Sequence, residues 1–326
     1  MHSRQLFAVL PAAALLIAAP LAQAQTADNY PARQPVRLIV TFSPGGGADA
    51  AARAISDKLA AKLGQTVIVE NRPGAGGSIA TNYVAKSAAD GYTVLFTVSS
   101  HSINQAMMAS LPFDTEKDLR GVTLVGLLPQ VLAVHPSVPA SNLTEWLALG
   151  QKDPRFRQYA TGGVGSPGHF AGAVLQAMSH QPLVHVGYKG AGPAMADVMG
   201  NQVPAVLSTM GGMMPHIQSS KLKAIAITSK DRSPLLPNFQ TIGETLQGYE
   251  SDTWIGTFVP TGTPQPIIAK LHAATAAALT DPDVKARLDT QGVSIVAGSP
   301  AELDRRVSRE IKLFTQVVKE QGIKAE

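Results

Sequence analysis

The sequence predicts an α/β protein built as two doubly wound lobes, with a hinge and a central cleft. Three observations favour this fold. Strand-like and helix-like segments alternate along the chain, and such an order places helices on both faces of a parallel sheet. A chain of about 300 residues exceeds the size at which single cores stop growing. Each half of the chain also carries one glycine-rich turn between a strand and a helix.

Residues 1–24 have the pattern of a secretory signal. Arg4 gives a basic start, an apolar run covers Leu6 to Leu21, and Ala22-Gln23-Ala24 supplies the small residues that signal peptidase needs. We therefore expect cleavage after Ala24 and export to the periplasm. The alternative is an uncleaved membrane anchor, which requires about 20 unbroken apolar residues, whereas two prolines interrupt this run.

Composition excludes several classes of function. The chain has 27 basic and 23 acidic residues, a net charge of +4, and no cysteine. Loss of Arg4 with the signal leaves a net charge of +3. Without a run of Lys or Arg, nucleic acid is a poor partner, while a weak positive field favours anionic solutes. The absence of cysteine excludes a lipid-modified N-terminal cysteine, thiol catalysis and thiolate metal sites.

The first half of the mature chain reads as a βαβαβ unit. Ile55, Leu59 and Leu63 form one apolar stripe at a spacing of four, which indicates a helix. Ser78 is expected to cap the helix that follows the second strand. The predicted segments are a strand at Val36–Phe42, a helix at Asp49–Leu63, a strand at Thr66–Glu70, a helix from Ser78 and a strand at Tyr92–Val98.

The second half repeats this plan. Ser141 or Asn142 is expected to cap the helix that runs to Leu149. The other predicted segments are strands at Val131–His135, Gln158–Thr161, Leu183–Tyr188, Ala205–Ser208, Ala224–Ser229 and Trp254–Val259, and helices from about His169, at Pro266–Leu279 and at Glu302–Glu320.

The chain is expected to cross between the lobes twice, near Val122–Val134 and near Asp252–Phe258. The first lobe then comprises residues 25–128 and 253–326, and the second comprises residues 129–252. Two crossings of this kind make a hinge, and hinged lobes can close on a ligand.

The two glycine-rich turns, Ser43–Gly47 and Thr161–His169, are the candidate binding elements. In parallel sheets, ligands lie beyond the carboxyl ends of strands, where helix N-termini present free amides and a partial positive charge. Two such turns facing each other would hold both ends of a diacid. The alternative is that both are ordinary tight turns, and His169 could either donate to an anion or face solvent. Asp49 is expected to serve the helix dipole.

The sequence motifs that would indicate an enzyme are incomplete. Gly163–Gly168 fits G-x-G-x-x-G, but no acidic residue follows about 20 positions on, as a nicotinamide site requires. Ser166 has Val164 where a nucleophile elbow needs glycine. The histidines show no metal-ligand spacing. We therefore predict no catalytic residues, no cofactor and no metal, and a binding protein instead of an enzyme.

Several motifs resemble the receptors of tripartite tricarboxylate transporters, also called Bug proteins. The resemblance runs from about Tyr30 to Gly322. It is carried by PVRLIVTFSPGGGAD at 35–49, VENRPGAGGS at 69–78, ADGYT at 89–93, YATGGVGSPGH at 159–169, VGYKGAGPA at 186–194 and WIGTFVPTGTP at 254–264.

This resemblance implies a type II periplasmic-binding-protein fold that delivers a small organic carboxylate to the integral-membrane permease subunits of such a transporter. Members bind citrate, C4-dicarboxylates, acidic amino acids or aromatic acids. A monomer is expected. The contact residues that the resemblance implies are Phe42, Ser43, Gly45, Gly46 and Gly47 on the first lobe, Thr161, Gly165, Ser166 and His169 on the second, and Ser99 and His101 after the third strand.

One departure bears on the ligand. Many members read Gly-Gln-Val-Asp followed shortly by Phe-Asp, whereas residues 201–209 here read NQVPAVLST. Both acidic positions are lost, and Ser208 stands at the second. This change disfavours amino-acid ligands. Two other functions stay open from the sequence, namely a sensor subunit that presents its ligand to a membrane kinase, and a periplasmic hydrolase.

Overall fold

The computed structural model describes residues 29–322 except residues 43, 45, 46, 109, 189, 234, 235 and 250. The predicted signal and its cleavage site lie outside the described residues. Within the described part, no helix is long and apolar enough to cross a membrane. The chain forms two β-sheets with helices packed on them, which confirms the predicted α/β class.

The first sheet has six strands, drawn from residues 36–128 and 253–298. In spatial order they are β11 (Ser294–Gly298), β4 (Leu119–Leu128), β10 (Thr253–Pro260), β3 (Thr93–Val98), β1 (Val36–Val40) and β2 (Val67–Asn71). Strands β2, β1 and β3 are parallel, as the βαβαβ pattern predicts. Strand β10 runs antiparallel to both β3 and β4, and β11 runs antiparallel to β4.

The second sheet has five strands, drawn from residues 130–227. In spatial order they are β7 (Val184–Gly187), β6 (Gln158–Thr161), β8 (Ala205–Thr209), β5 (Gln130–Val134) and β9 (Lys223–Ile227). Strand β6 is parallel to β7 and β8, while β5 is antiparallel to β8 and β9. Both sheets are therefore mixed. Pro129 alone separates β4 from β5, so the chain enters the second sheet directly from the first.

The helices cover the faces of these sheets. They are α1 (Gly47–Leu63), α2 (Ser78–Ala85), α3 (Ser100–Met107), α4 (Leu143–Lys152), α5 (Pro167–Ser179), α6 (Ala191–Met199), α7 (Met210–Gln218), α8 (Ile242–Thr245), α9 (Gln265–Leu279), α10 (Pro282–Thr290) and α11 (Pro300–Gln321). Helices α3, α6, α7, α8 and α10 and strand β11 were not predicted from the sequence.

Two helix caps can be compared with their predictions. The side chain of Asn142 accepts a hydrogen bond from the backbone N–H of Glu145 at 2.9 Å, so Asn142 is the cap of α4. The prediction for α2 is wrong. Gly77 holds the N-cap position in a left-handed conformation, and Ser78 is already the first helical residue.

A buried polar junction joins the two crossings of the chain. The backbone N–H of Gln130 donates to Thr228 Oγ1 at 2.9 Å, and the N–H of Thr228 donates to the carbonyl of Gln130 at 3.0 Å. Gln130 Nε2 also donates to Thr253 Oγ1 at 3.3 Å. Because these groups are buried, their hydrogen bonds are costly to break, and they tie the two crossings to each other.

A small apolar cluster forms a second junction. Phe314 of α11 packs edge-on against Phe170 of α5, with ring centroids 5.0 Å apart, and Ile103 of α3 completes the cluster. Helix α3 follows a strand of the first sheet, whereas α5 follows a strand of the second. The cluster therefore connects helices that belong to different sheets.

Glu310 lies in the middle of α11 and is only 7% exposed. Trp254 Nε1, which the fold buries completely, donates to Glu310 Oε2 at 2.7 Å, and Arg306 Nε donates to Oε1 at 3.2 Å. Burial raises the pKa of the Glu310 carboxyl to about 7, although Arg306, Trp254, Ser102 and Arg309 oppose the shift. Trp254 is thus a core residue and does not line a pocket.

We predict that Glu310→Gln removes a pH dependence of stability. The pKa of Glu310 is higher in the folded state than in the unfolded state, so its contribution is fully present below pH about 4.5 and is lost as the pH rises through about 7. The free energy of unfolding should fall by about 2 to 3 kcal/mol more in the wild type than in Glu310→Gln between pH 5 and pH 8.

Urea unfolding at both pH values measures this difference. Glu320→Gln, which alters an exposed carboxyl near the end of the same helix, is the matched control and should behave as the wild type. Equal pH dependence in Glu310→Gln and in the wild type would contradict the assignment.

Candidate ligand-binding cleft

A cavity of about 390 Å³ opens between the two sheets. It lies at the carboxyl ends of β1, β2, β3 and β6, which is the edge where α/β sheets bind their ligands. Its volume is within the range of small-molecule sites. The lining residues are Phe42, Ala75, Gly76, Ser100, Asn104, Met107 and Met108, which follow strands of the first sheet, and Gly162, Val164, Gly165, Ser166 and Pro167, which follow β6 of the second.

The turn after β6 is shaped by glycine and by a helix cap. Gly163 has φ 123°, and a Cβ there would lie 2.8 Å from the carbonyl oxygen of Tyr188, so only glycine fits. Ser166 is the N-cap of α5, and its Oγ accepts from the N–H of His169 at 3.3 Å. Pro167 follows at the first helical position, where its missing N–H does no harm.

Much of the hydrogen-bonding capacity of this turn is used within it. The N–H of Gly163 donates to Thr161 Oγ1 at 3.2 Å, and the N–H of Gly165 donates to His169 Nδ1 at 3.2 Å. Ser166 Oγ donates to Thr161 Oγ1 at 3.3 Å. Of the four residues predicted here, Gly165 and Ser166 line the cavity, while Thr161 and His169 are buried behind them and hold the turn in shape.

His169 forms a stacked pair with His185, with ring centroids 3.9 Å apart. Burial lowers the pKa of His169 to about 4, and burial together with the neighbouring His169 ring lowers the pKa of His185 to about 3. Thr161 Oγ1 and His185 Nε2 lie 2.6 Å apart. Both rings are neutral at pH 7 and bring no positive charge to the cleft. His169 is buried, so it is not the solvent-facing histidine of the alternative prediction.

The first predicted turn is described only in part. Ser43, Gly45 and Gly46 lie outside the described residues. Phe42 lines the cavity, and Gly47 is exposed as the first residue of α1.

Asp49 holds the start of α1 in place and does not face the cavity. Its carboxylate accepts from Arg53 Nε at 3.0 Å and from Asn71 Nδ2 at 2.9 Å. Asn71 Nδ2 also donates to the carbonyl of Phe42 at 2.9 Å. The carboxylate therefore fastens the helix to β2 and to the end of β1, in agreement with the expected structural role.

Helix α3 corrects the prediction for Ser99 and His101, which do not line the cavity. Because a helix begins at Ser100, the residues on its cavity face are Ser100, Asn104 and Met107, spaced by four and three. His101 is 2% exposed, and its ring lies 4.5 Å from that of Phe258. Burial lowers the pKa of His101 to about 3, so the ring is a neutral part of the core.

Ser208 also does not line the cavity. It lies in β8, where it pairs with Val131 of β5, and it is 6% exposed. Its predicted contact with the ligand is corrected in the same way as that of His101, since the strand places it in the sheet.

Sequence reasoning missed the loop after β2. Ala75 and Gly76 line the cavity, and Asn104 Nδ2 donates to the carbonyl of Gly76 at 3.0 Å. A Cβ on Gly76 would lie 2.9 Å from Asn104 Oδ1, so the close approach requires glycine. The motif RPGAGG was the available signal. It follows a strand parallel to β1, so it lies at the same edge of the sheet as the turn after β1.

The lining combines backbone and apolar groups with few polar side chains. None of the described lining residues is charged. Ser100 Oγ is buried and has no hydrogen-bond partner among the described residues. In the same part of the chain, no group of three or more His, Asp or Glu side chains is placed to hold a metal ion. The arrangement is suited to binding a solute between two lobes.

Comparison with known proteins gives consistent matches. The model of the family described as "Tripartite tricarboxylate transporter family receptor" matches residues 51–323. Protein BugT of Bordetella pertussis is 36% identical over 311 residues, which cover 94% of this chain and 94% of BugT.

Two solved structures from Rhodopseudomonas palustris are also similar. MatC with bound malate has 31% identity and a TM-score of 0.76, covering 88% of this chain and 99% of MatC. A protein solved with adipate has 30% identity and a TM-score of 0.80, covering 90% of this chain and 99% of that protein. Similarity on this scale confirms the predicted periplasmic-binding-protein fold.

We predict that acid destabilises the second turn through His169. Its pKa is lower in the folded state than in the unfolded state, so its contribution to stability is present above pH about 6.5 and is lost as the pH falls toward 4. Between pH 7.5 and pH 5 this loss should be about 2 kcal/mol. His169→Asn keeps an acceptor for the N–H of Gly165 and does not titrate, so it should lose that much less.

Denaturant unfolding at the two pH values checks this. His180→Asn is the control, because His180 is exposed and its φ of 53° suits asparagine. If His169→Asn and His180→Asn lose equal stability in acid, His169 is not the titrating group.

Proposed function

Since the chain belongs to the tripartite tricarboxylate transporter receptor family, we propose that it captures a small organic carboxylate in the cleft between its lobes. The family consists of solute-binding receptors and not of enzymes, as the sequence predicted. The candidate ligands are di- or tricarboxylates and aromatic acids. The similar structures with malate and with adipate support a carboxylate.

The observation that carries this proposal is that α3 and α5, from opposite lobes, both begin at one cavity. Ser100 opens α3 and Ser166 caps α5, and both residues line the cavity. A helix N-terminus has roughly half a positive charge, which suits a carboxylate. An anion can therefore be neutralised here although none of the described lining residues is cationic.

Delivery to a membrane permease is the second part of the proposal. The family is one of periplasmic receptors, and export with cleavage after Ala24 would place the mature chain there. Two sheets joined at a buried polar junction can close about it on a ligand. Closure would present one surface made of both lobes to the integral-membrane subunits of a tripartite tricarboxylate transporter, with the receptor acting as a monomer.

We predict that carboxylates stabilise the folded protein. Adipate or malate at 100 times its dissociation constant should raise the free energy of unfolding by about 2.7 kcal/mol. Thermal and urea unfolding of the mature protein with a panel of carboxylates, sugars and amines measures the effect. Stabilisation by a sugar or an amine, with no effect of any acid, would contradict the proposed ligand class.

We predict that Ser100→Ala weakens carboxylate binding by about 10- to 100-fold, since a hydrogen bond to a charged group is worth about 1.5 to 3 kcal/mol. Ser102→Ala is the matched control. Both hydroxyls are buried on the same helix, but Ser102 faces Glu310 and does not line the cavity. Calorimetric titration with adipate compares the two variants. Unchanged affinity in Ser100→Ala would place the carboxylate elsewhere.

A further inference from the structure

The side chains that face the cleft are mostly apolar. On the first lobe they are Phe42, Ala75, Met107 and Met108, and on the second they are Val164 and Pro167. They supply aromatic, thioether and aliphatic surface to whatever occupies the cavity. Burying apolar carbon of the ligand against this surface is favourable, because that carbon leaves water.

The polar side chains of the described lining have few free hydrogen-bonding groups for a hydroxyl or amino substituent on the ligand. Asn104 Nδ2 donates to the carbonyl of Gly76, and Ser166 Oγ both donates to Thr161 Oγ1 and accepts from the N–H of His169. Ser100 Oγ is the hydroxyl of the described lining that is buried without a partner. The proposed function assigns this hydroxyl to the carboxylate, so it is not free for a second polar group of the ligand.

An amino group would find no counter-ion among the described residues that line this cavity. None of the described lining residues is acidic. The nearby carboxylate of Asp49 is bonded to Arg53 and to Asn71. Burying an ammonium ion without a partner is strongly unfavourable, and burying an unpaired hydroxyl is moderately so.

Met107 reaches across the cleft from α3 toward the turn that precedes α5. It belongs to α3 of the first lobe, and its Sδ lies 3.6 Å from where a Cβ on Gly165 of the second lobe would be. Methionine is flexible and polarisable, so it adapts to ligands of different shape. The contact places a thioether in the cavity beside the turn that precedes α5.

We propose that the cleft selects carboxylates whose carbon skeleton is apolar, bearing neither amino nor hydroxyl groups, such as unsubstituted alkanedioates or simple aromatic acids. This inference rests on the proposed function, which assigns a carboxylate to the cleft. It narrows the ligand class by excluding amino acids and hydroxy acids as the preferred solutes.

Calorimetric titration with three acids of one skeleton tests the selection. Adipate should bind about tenfold more tightly than 2-hydroxyadipate and at least about 100-fold more tightly than 2-aminoadipate, given the cost of burying an unpaired hydroxyl or ammonium. Benzoate is added to separate aliphatic from aromatic skeletons, and tight binding of either benzoate or adipate supports the proposal.

The outcomes separate this inference from the function on which it rests. If 2-hydroxyadipate or 2-aminoadipate binds as tightly as adipate, the apolar selection is overturned while carboxylate binding stands. If none of these four acids binds, the apolar selection is overturned, and the wider panel of carboxylates decides whether carboxylate binding stands.

A variant pair tests the role of the cleft side chains. Met107→Gln, which replaces the thioether by an amide of similar length, should reduce the preference for adipate over 2-hydroxyadipate about fivefold, because the amide can bond the hydroxyl. Met199→Gln is the control, since Met199 ends α6 and does not line the cavity. Equal preference in Met107→Gln, Met199→Gln and the wild type would overturn the role of Met107.

Discussion

The hydrogen bonds of Gln130 with Thr228 and Thr253 hold the two crossings of the chain side by side, and the geometry of the cleft depends on them. One wall of the cavity belongs to each sheet, so the separation of the walls is set where the sheets join. The cluster of Ile103, Phe170 and Phe314 adds a second connection, between the helices that carry those walls. Together they bring the first residue of α3 and the N-cap of α5 to one cavity.

Binding an anion without a cationic side chain requires a prearranged backbone. The second turn meets this requirement by satisfying its own polar groups, with Thr161 and His169 accepting from the N–H groups of Gly163 and Gly165. Burial keeps His169 neutral and therefore able to accept. Because the turn and α3 supply the polarity, the rest of the lining is free to be apolar, and this division favours a ligand with two charged ends and a plain carbon body.

The sequence predicted the parallel βαβαβ unit and the second turn because their patterns are local. Apolar residues spaced by four and glycine-rich turns between a strand and a helix can be read within a few residues. The sequence also predicted strands at both crossings, but the antiparallel pairing of β10 with β3 and β4, and of β5 with β8, was not readable because the partners are distant in sequence. Helix α3 was missed because its serines, His101 and Asn104 are weak helix formers, so its helical state comes from tertiary packing. That error in turn misplaced the contacts at Ser99 and His101.

A crystal structure of the protein grown with adipate tests the central claim most directly. The account predicts the diacid between α3 and the turn at residues 161–169, with one carboxylate within hydrogen-bond distance of Ser100 Oγ and the carbon chain against Met107. Adipate found instead in the separate cavity lined by Asp252, Arg306 and Glu310, or only on the outer surface, would contradict it.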